Sequence, residues 1–452
     1  MYSPTLEQVR AYADRYRTVP VSRMVYADIR TPIEVMRILK SVSRHCYMLE
    51  SMEDAKRWGR YTFLGFDPKL EITCTGGEVH ISAGTEMTVK DADPAQYIRQ
   101  VLRENKSPRI PGLPPFTGGL AGYFSYDYIT YGEPSLKLDA PEENYKKAVG
   151  ELDDMVELVT KGTPAVIPPL SIKSEFRPLF GEKEYCRMVE TAKSYIREGD
   201  IFQVVLSNRL EAEVKGSLFD TYRVLRTTNP SPYMFYFGGG DIEIAGASPE
   251  TLVRLENGKL YTFPLAGTRP RGKTQEEDRE LERELLADPK ERAEHNMLVD
   301  LGRNDLGKIS RFGTVKVEKY METERFSHVM HIGSTVSGQI RDDKDALDAV
   351  GALLPAGTLS GAPKLRACEI IHALENCKRG IYGGAIGYID FTGNMDTCIA
   401  IRIAFRKNGK VFVRSGAGIV ADSVPEKEYR ECIHKAQAVM DALRTAEGGI
   451  GG

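Results

Sequence analysis

Residues 234–267 read MFYFGGGDIEIAGASPETLVRLENGKLYTFPLAG. Three runs rich in aromatic and β-branched residues, MFYFGG, DIEIAGASPE and TLVRLENGKLYTFPLAG, follow one another with no helical stretch between them. Asn257-Gly258 in the last run signals a two-residue hairpin, because both central residues of such a turn need positive φ. Working outward, helical periodicity is expected over residues 4–17, 31–40, 94–104, 182–198, 217–227, 275–308, 344–354, 361–376 and 425–445. In 182–198, Tyr185, Met188, Val189, Ala192, Tyr195 and Ile196 form one apolar stripe. Further strands are expected at 61–66, 116–127, 201–214, 314–320, 328–338, 382–390, 397–406 and 410–415. Hairpins are expected over 70–89, broken at Gly76-Gly77 and Gly84. This mixed order, not a regular strand–helix–strand repeat, predicts an α+β fold. The expected form is a complex α/β sandwich whose large antiparallel sheets are enclosed by helices. Pro164, Pro168 and Pro169 mark 161–175 as a linker, which divides the chain into 1–160 and 175–446.

The chain has 452 residues, 41% hydrophobic and 28% charged, with a formal net charge of −3. That balance lacks the basic excess of a nucleic-acid binder. The N-terminus has no signal-peptide pattern, and no apolar run reaches membrane-spanning length. The seven cysteines are scattered, with no CxxC and no zinc-like spacing. Reduced thiols in a cytoplasmic protein are the expectation.

Chemistry concentrates in a few stretches. Glu291 and Glu294, three apart, share a helix face, as do Glu428 and Glu431, and Lys435 lies two turns beyond Glu428. Either ExxE alone is an ordinary solvated helix face. Facing each other, four carboxylates call for a neutralising cation, and Mg²⁺ suits oxygen ligands. Gly267-Thr268, in PLAGTRPRG, offer a close backbone approach and a hydroxyl. GTLSGAPK (357–364), which contains Thr358, reads as a loop feeding a helix N-terminus, where free N–H groups suit an anion. Gly416 and Gly418 lie just before the second ExxE. Arg402, between isoleucines in an expected strand, reads as a buried cation facing an anion. His331 sits in an expected strand and Glu250 at a strand end. Together these residues suit an enzyme acting on a small polycarboxylate by acid–base elimination or substitution.

In order along the chain, GDIFQVVLS, ASPE, PLAGTRPRG, KERAEHNMLVDLGRND, HVMH, GTLSGAPK, YGGAIGY, IRIA, SGAGIV and EKEYRECIHKA resemble the motifs of chorismate-utilising enzymes. Within that group the chain resembles the large (component I) subunits of anthranilate synthase. The resemblance implies that Glu291, Glu294, Glu428 and Glu431 hold Mg²⁺, largely through water, against the ring carboxylate of chorismate. It implies substrate contacts from Gly267, Thr268, Thr358, Tyr382, Arg402, Gly416, Gly418 and Lys435. Glu250 matches the general acid for the departing C4 hydroxyl as ammonia adds at C2. His331 matches a residue implicated in the second step, loss of the C2 proton with elimination of pyruvate.

Gln203 stands where the water-adding members carry a lysine base, which implies an aminating enzyme. Ala266 stands where the aminodeoxychorismate synthases typically carry a lysine nucleophile, which implies direct attack by ammonia. Met48-Leu49-Glu50-Ser51 resembles the LLES element of a feedback site for tryptophan, with Met for the first Leu, and Asn229-Pro230-Ser231-Pro232-Tyr233-Met234 matches its second half. Glu50 is the expected partner of the inhibitor's ammonium. The resemblance thus implies anthranilate and pyruvate as products, formed through aminodeoxyisochorismate in the first step of tryptophan biosynthesis. No glutaminase domain is recognisable, so use of glutamine implies a separate amidotransferase subunit. The alternatives are component I of aminodeoxychorismate synthase and a catalytically silent tryptophan-binding subunit.

Overall fold

The structure is a computed structural model, and it describes residues 2–13, 15–16, 18–24, 30–50, 61–75, 78–83, 86–90, 94–124, 152, 154–325 and 329–450. Ser51, Gly76-Gly77, Gly84 and residues 125–127 of the expected 116–127 strand lie outside the described residues.

The fold-deciding stretch forms five strands: Tyr233–Gly239, Ile242–Ser248, Thr251–Glu256, Lys259–Thr262 and Leu265–Pro270. Asn257 and Gly258 adopt φ of 54° and 77°, the paired left-handed conformation of the expected hairpin turn. These strands enter two different antiparallel sheets. One sheet runs, in spatial order, through Arg177–Pro178, Gln203–Lys215, Lys410–Ile419, Ile403–Lys407, Ile242–Ser248, Tyr233–Gly239, Cys46–Glu50 and Thr62–Phe66. The other runs through Leu265–Pro270, Val329–Gln339, Lys259–Thr262, Thr251–Glu256, Met395–Ile399, Ala385–Asp390 and Gly119–Phe124, with Lys316–Arg325 beside Val329–Gln339. Both sheets therefore draw strands from either side of the 161–175 stretch.

The sheets pack face to face through Phe235, Ile244 and Ile403 of the first and Ile386 and Cys398 of the second. The outer face of the first sheet buries Met36 and Leu39 of helix Pro32–Val42, Tyr222 and Leu225 of helix Phe219–Thr228, and Val439 and Leu443 of helix Pro425–Thr445. The second sheet is covered by Val299 and Leu306 of helix Pro289–Gly307 and Leu347 and Val350 of helix Ala346–Leu353. Such burial, about 25 cal/mol per Å² of apolar surface removed from water, is what holds the helices to the sheets. The α+β sandwich enclosed by helices is thus observed. Among the described residues no helix is long and apolar enough to cross a membrane.

Three local expectations change. The expected helix over 275–308 is two helices, Gln275–Ala287 and Pro289–Gly307. Pro289 cannot donate to the preceding turn, and the Asp288 carboxylate caps the new helix by accepting from the Lys290 and Glu291 N–H groups. The expected strand over 397–406 is also two, Met395–Ile399 in one sheet and Ile403–Lys407 in the other. Arg402, at φ 52°, makes the break between them, and it is exposed, not a buried mid-strand cation. The strand expected over 410–415 runs on to Ile419, so Gly416 and Gly418 lie inside it, opposite Ser207 and Val205.

Candidate active site

The chain crosses between the sheets at Pro249-Glu250 and again at Ala400–Arg402. The crossovers lie side by side: the Ile399 N–H donates to the Glu250 carbonyl (2.9 Å) and the Ala247 N–H to the Arg402 carbonyl (3.2 Å). The Ser248 hydroxyl donates to the Ile399 carbonyl (2.7 Å). Two residues flagged from sequence, 152 positions apart, are therefore set where the sheets part. The Thr358 hydroxyl, on the 3₁₀ turn Gly357–Leu359, donates to Glu250 Oε1 at 2.9 Å. Desolvation raises the Glu250 carboxyl to about 7, against the opposing pull of the Thr358 hydrogen bond and the charges of Arg402 and Lys435. A cleft beside Glu250 and Thr358 is lined by Leu298, Leu301 and Asp305.

His331 stands on strand Val329–Gln339, with Nδ1 2.7 Å from the Gly267 carbonyl and 3.2 Å from Thr268 Oγ1. A carbonyl can only accept, so the neutral ring carries its proton on Nδ1 and presents Nε2 as a base. Desolvation holds the imidazole below its ordinary pKa, and the Arg402 charge pushes the same way. Gly267 makes this geometry possible. It sits at φ 64° in a bulge where pairing with Val329–Gln339 shifts register. A Cβ there would meet Leu285 Cδ1 at 2.8 Å and Glu291 Oε2 at 3.1 Å.

Glu291 and Glu294 are on helix Pro289–Gly307, and Glu428 and Glu431 on helix Pro425–Thr445. The two helices face each other electrostatically. Burial first, then Glu291 and Glu431, raise Glu294; burial first, then Glu431, raise Glu428. Lys435 bonds Glu431 Oε1 (2.6 Å) and the Gly416 carbonyl (3.3 Å), and its charge favours the ionised forms of Glu250, Glu294 and Glu428 alike. Arg269 approaches Glu291 at 3.7 Å. Among the described residues, no three carboxylate, histidine or cysteine side chains converge as direct ligands of one ion.

The glycines of strand Lys410–Ile419 form close approaches. A Cβ on Gly416 would meet the Leu206 carbonyl at 2.8 Å and Tyr382 Oη at 3.1 Å; one on Gly418 would meet Gln203 Nε2 at 2.6 Å. Gln203 thus lies against the expected substrate strand. Tyr382 is buried in the turn before Ala385–Asp390, and burial pushes its phenol up. Ala266 is buried on strand Leu265–Pro270. His295, next to Glu294, is fully buried with Nε2 2.6 Å from Ser334 Oγ, and burial holds it down at about 4.

The two halves of the expected tryptophan site are brought together: Leu49 and Glu50 pair with Phe235 and Met234 across adjacent strands. Glu50, however, is already engaged. Its buried carboxylate accepts from Arg226 through both oxygens and from the Tyr222 hydroxyl. A ligand ammonium would have to compete with that guanidinium. Asn229 Nδ2 is buried without a partner among the described residues, Ser231 is buried, and Tyr233 donates to Asp396 (2.8 Å). Pro230 and Pro232 shape the turn between helix Phe219–Thr228 and strand Tyr233–Gly239.

Sequence reasoning missed a buried ionic cluster behind the Thr358 turn: Glu375, Arg379 and Arg414, whose side chains are 0%, 2% and 4% exposed. In sequence, Glu375 closes an expected helix and Arg379 lies in the turn beyond it, where charged side chains are usually solvated, and only the cation within a strand at Arg414 hints otherwise.

A family profile described as chorismate binding enzyme matches residues 44–441. An anthranilate synthase component 1 of Acetivibrio thermocellus is 44% identical over 492 aligned positions, covering 99% of each chain. One of Aquifex aeolicus is 42% identical, covering 98% of each. The crystal structure of anthranilate synthase component I from Streptococcus pneumoniae superposes with a TM-score of 0.71 at 37% identity, over 92% of this chain and 99% of that one. With its motifs folded around two sheet crossovers and its relatives matched end to end, the chain belongs to the chorismate-binding enzyme family, alongside anthranilate synthase component 1.

Proposed function

We propose that the chain converts chorismate and ammonia to anthranilate, pyruvate and water, as the ammonia-using subunit of an anthranilate synthase. The carrying observation is the opposite tuning of two groups beside Arg402. Glu250 is pushed up to about 7 and His331 is pushed down, so near neutral pH one holds a proton and the other can take one. Ammonia adds at C2 while Glu250 protonates the C4 hydroxyl, which leaves as water. The C2 proton of the resulting aminodeoxyisochorismate is then removed, with His331 Nε2 as the base. The ring becomes aromatic as the enolpyruvyl C–O bond breaks, and the enol takes a proton to become pyruvate. Arg402 and the backbone amides at Gly416 and Gly418 hold the enolpyruvyl carboxylate. Thr268 and Tyr382 line the substrate, and Thr358 fixes the Glu250 carboxyl.

Mg²⁺ would be held through water by Glu291, Glu294, Glu428 and Glu431, and it would neutralise the ring carboxylate. Gln203 supports amination over hydration, because a neutral amide beside Gly418 supplies no base to activate water. Ala266 supports direct attack by ammonia, because a buried methyl cannot act as a nucleophile. A glutamine amidotransferase subunit would supply the ammonia. Tryptophan as feedback inhibitor is supported by the pairing of Glu50 with Met234 and by the Asn229 amide, buried without a partner among the described residues.

The test is chromatography of products from chorismate, MgCl₂ and an ammonium salt at alkaline pH. Anthranilate and pyruvate in equal amounts are expected, with the rate falling when tryptophan is added. Aminodeoxychorismate or isochorismate as the end product would contradict the reading.

A further inference from the structure

The buried cluster behind the Thr358 turn has no part in the reaction as written, yet it bonds to elements that carry the reaction's residues. Arg379 Nη1 donates to the Leu359 carbonyl (2.5 Å), and Nη2 donates to the Val205 carbonyl (2.7 Å). Its guanidinium is fixed from behind by both oxygens of Glu375, at 2.6 and 3.0 Å. Glu375 also accepts from the Ser207 N–H (2.8 Å), the Ser207 hydroxyl (2.9 Å) and Arg414 (2.7 Å). The Arg379 guanidinium lies 5.9 Å from the centre of the Tyr382 ring. One planar cation therefore joins the residue next to Thr358, the strand partner of Gly418 and the Tyr382 ring.

We propose that Arg379, braced by Glu375, is a positioning residue that holds the Gly357–Leu359 turn so that Thr358 stays hydrogen-bonded to Glu250. The inference rests on the reading of Glu250 as the general acid. An arginine suits the task because its rigid fork can bind two carbonyls and a carboxylate at once, which a lysine cannot do. The hidden ion pair is costly to bury, so simple stability is a weak reason for its presence. The charged groups facing Glu250 are Arg402 from the second crossover and Lys435 from helix Pro425–Thr445, with Asp305 lining the same cleft. None of these three belongs to the Arg379 cluster, so a change at Arg379 acts on Glu250 through the turn.

The experiment compares Arg379→Lys, Thr358→Val and the double variant in the full-length protein. The readout is the pH dependence of kcat and KM for chorismate at constant free ammonia. Losing the Thr358 hydrogen bond removes a stabilisation of the carboxylate, so the limb on which activity falls with rising pH moves upward, by about half a unit or more. Arg379→Lys is expected to move that limb the same way, lowering kcat about tenfold with KM for chorismate little changed. The double variant is expected to move it no further. A limb left in the wild-type place by Arg379→Lys, or additive shifts in the double variant, would overturn the proposal. If Arg379→Lys does not fold, Glu375→Gln decides. That change keeps the shape of the side chain but withdraws the charge that fixes the Arg379 guanidinium, and an unmoved limb again overturns the proposal. Failure of the underlying reading looks different: the limb would then survive Glu250→Gln.

Discussion

Replacing Glu250 with glutamine keeps the shape and the oxygen that accepts from Thr358, and removes only the transferable proton. At pH 7 an ordinary glutamic acid with a pKa of 4.5 is protonated in about one molecule in 300, whereas one raised to about 7 is protonated in half. Desolvation at the crossover therefore gives about 150-fold more of the acid form at neutral pH. Glu250→Gln should lower kcat by about 10²–10⁴-fold, the usual contribution of a positioned general acid. It should also abolish the fall of wild-type activity as pH rises through about 7. Stability should move the other way. A carboxyl whose folded pKa lies above its unfolded value binds more protons when folded between pH 4.5 and about 7, so it removes stability as pH rises through that window. Glu250→Gln escapes that penalty. It should melt higher than wild type at pH 8, by the equivalent of up to about 3 kcal/mol, and show no gain at pH 4. The assays are steady-state anthranilate fluorescence at constant free ammonia and thermal melting at both pH values. A variant that keeps more than a tenth of wild-type kcat, or melts no higher at pH 8, would refute the reasoning.

Gly267→Ala should cost about 1–3 kcal/mol in thermal stability, because φ 64° and the contacts with Leu285 and Glu291 both oppose a Cβ, and it should lower activity by displacing the carbonyl that orients His331. Adding MgCl₂ should raise the melting temperature, by the equivalent of about 2.7 kcal/mol at a hundred times the dissociation constant, and Glu431→Gln should lose most of that gain. The gain should be larger at pH 8 than at pH 5, because Glu294 and Glu428 are raised and a cation binds their ionised forms. Arg226→Met leaves the buried Glu50 carboxylate without its cation and should destabilise by about 3 kcal/mol. Tryptophan should then raise the melting temperature more in this variant than in wild type; an equal rise would separate the inhibitor from Glu50.

Helices with an unbroken apolar stripe, such as Glu182–Arg197 and Pro425–Thr445, were legible because burial of one face imposes a 3.6-residue period. The hairpin at Asn257-Gly258 was legible because the turn requires positive φ. The crossover at Arg402 was not. Its flanking isoleucines suit a strand, and only the tertiary demand that the chain change sheets puts an arginine at φ 52°. That demand also exposes a side chain which the pattern of its neighbours marks as buried. The strand expected over 410–415 stops short of the glycines at 416 and 418 because glycine is poor in strands; what requires them is the crowding of Tyr382, the Leu206 carbonyl and Gln203 against that strand. Individual site residues stood out by type and motif, but their partnerships did not. Glu250 meets Thr358 across 108 positions of sequence, and Arg379 reaches Val205 across 174. Such pairings belong to the fold, and no local pattern encodes them.

The central claim is that acid and base duties are divided between Glu250 and His331 in two successive steps. Its most direct test is the product distribution from chorismate and ammonium with His331→Asn, which can still donate to the Gly267 carbonyl but has no basic nitrogen. The account predicts that chorismate is consumed, aminodeoxyisochorismate accumulates, and anthranilate falls by at least about 10²-fold. Anthranilate formed at the wild-type rate, or chorismate left unconsumed, would contradict it.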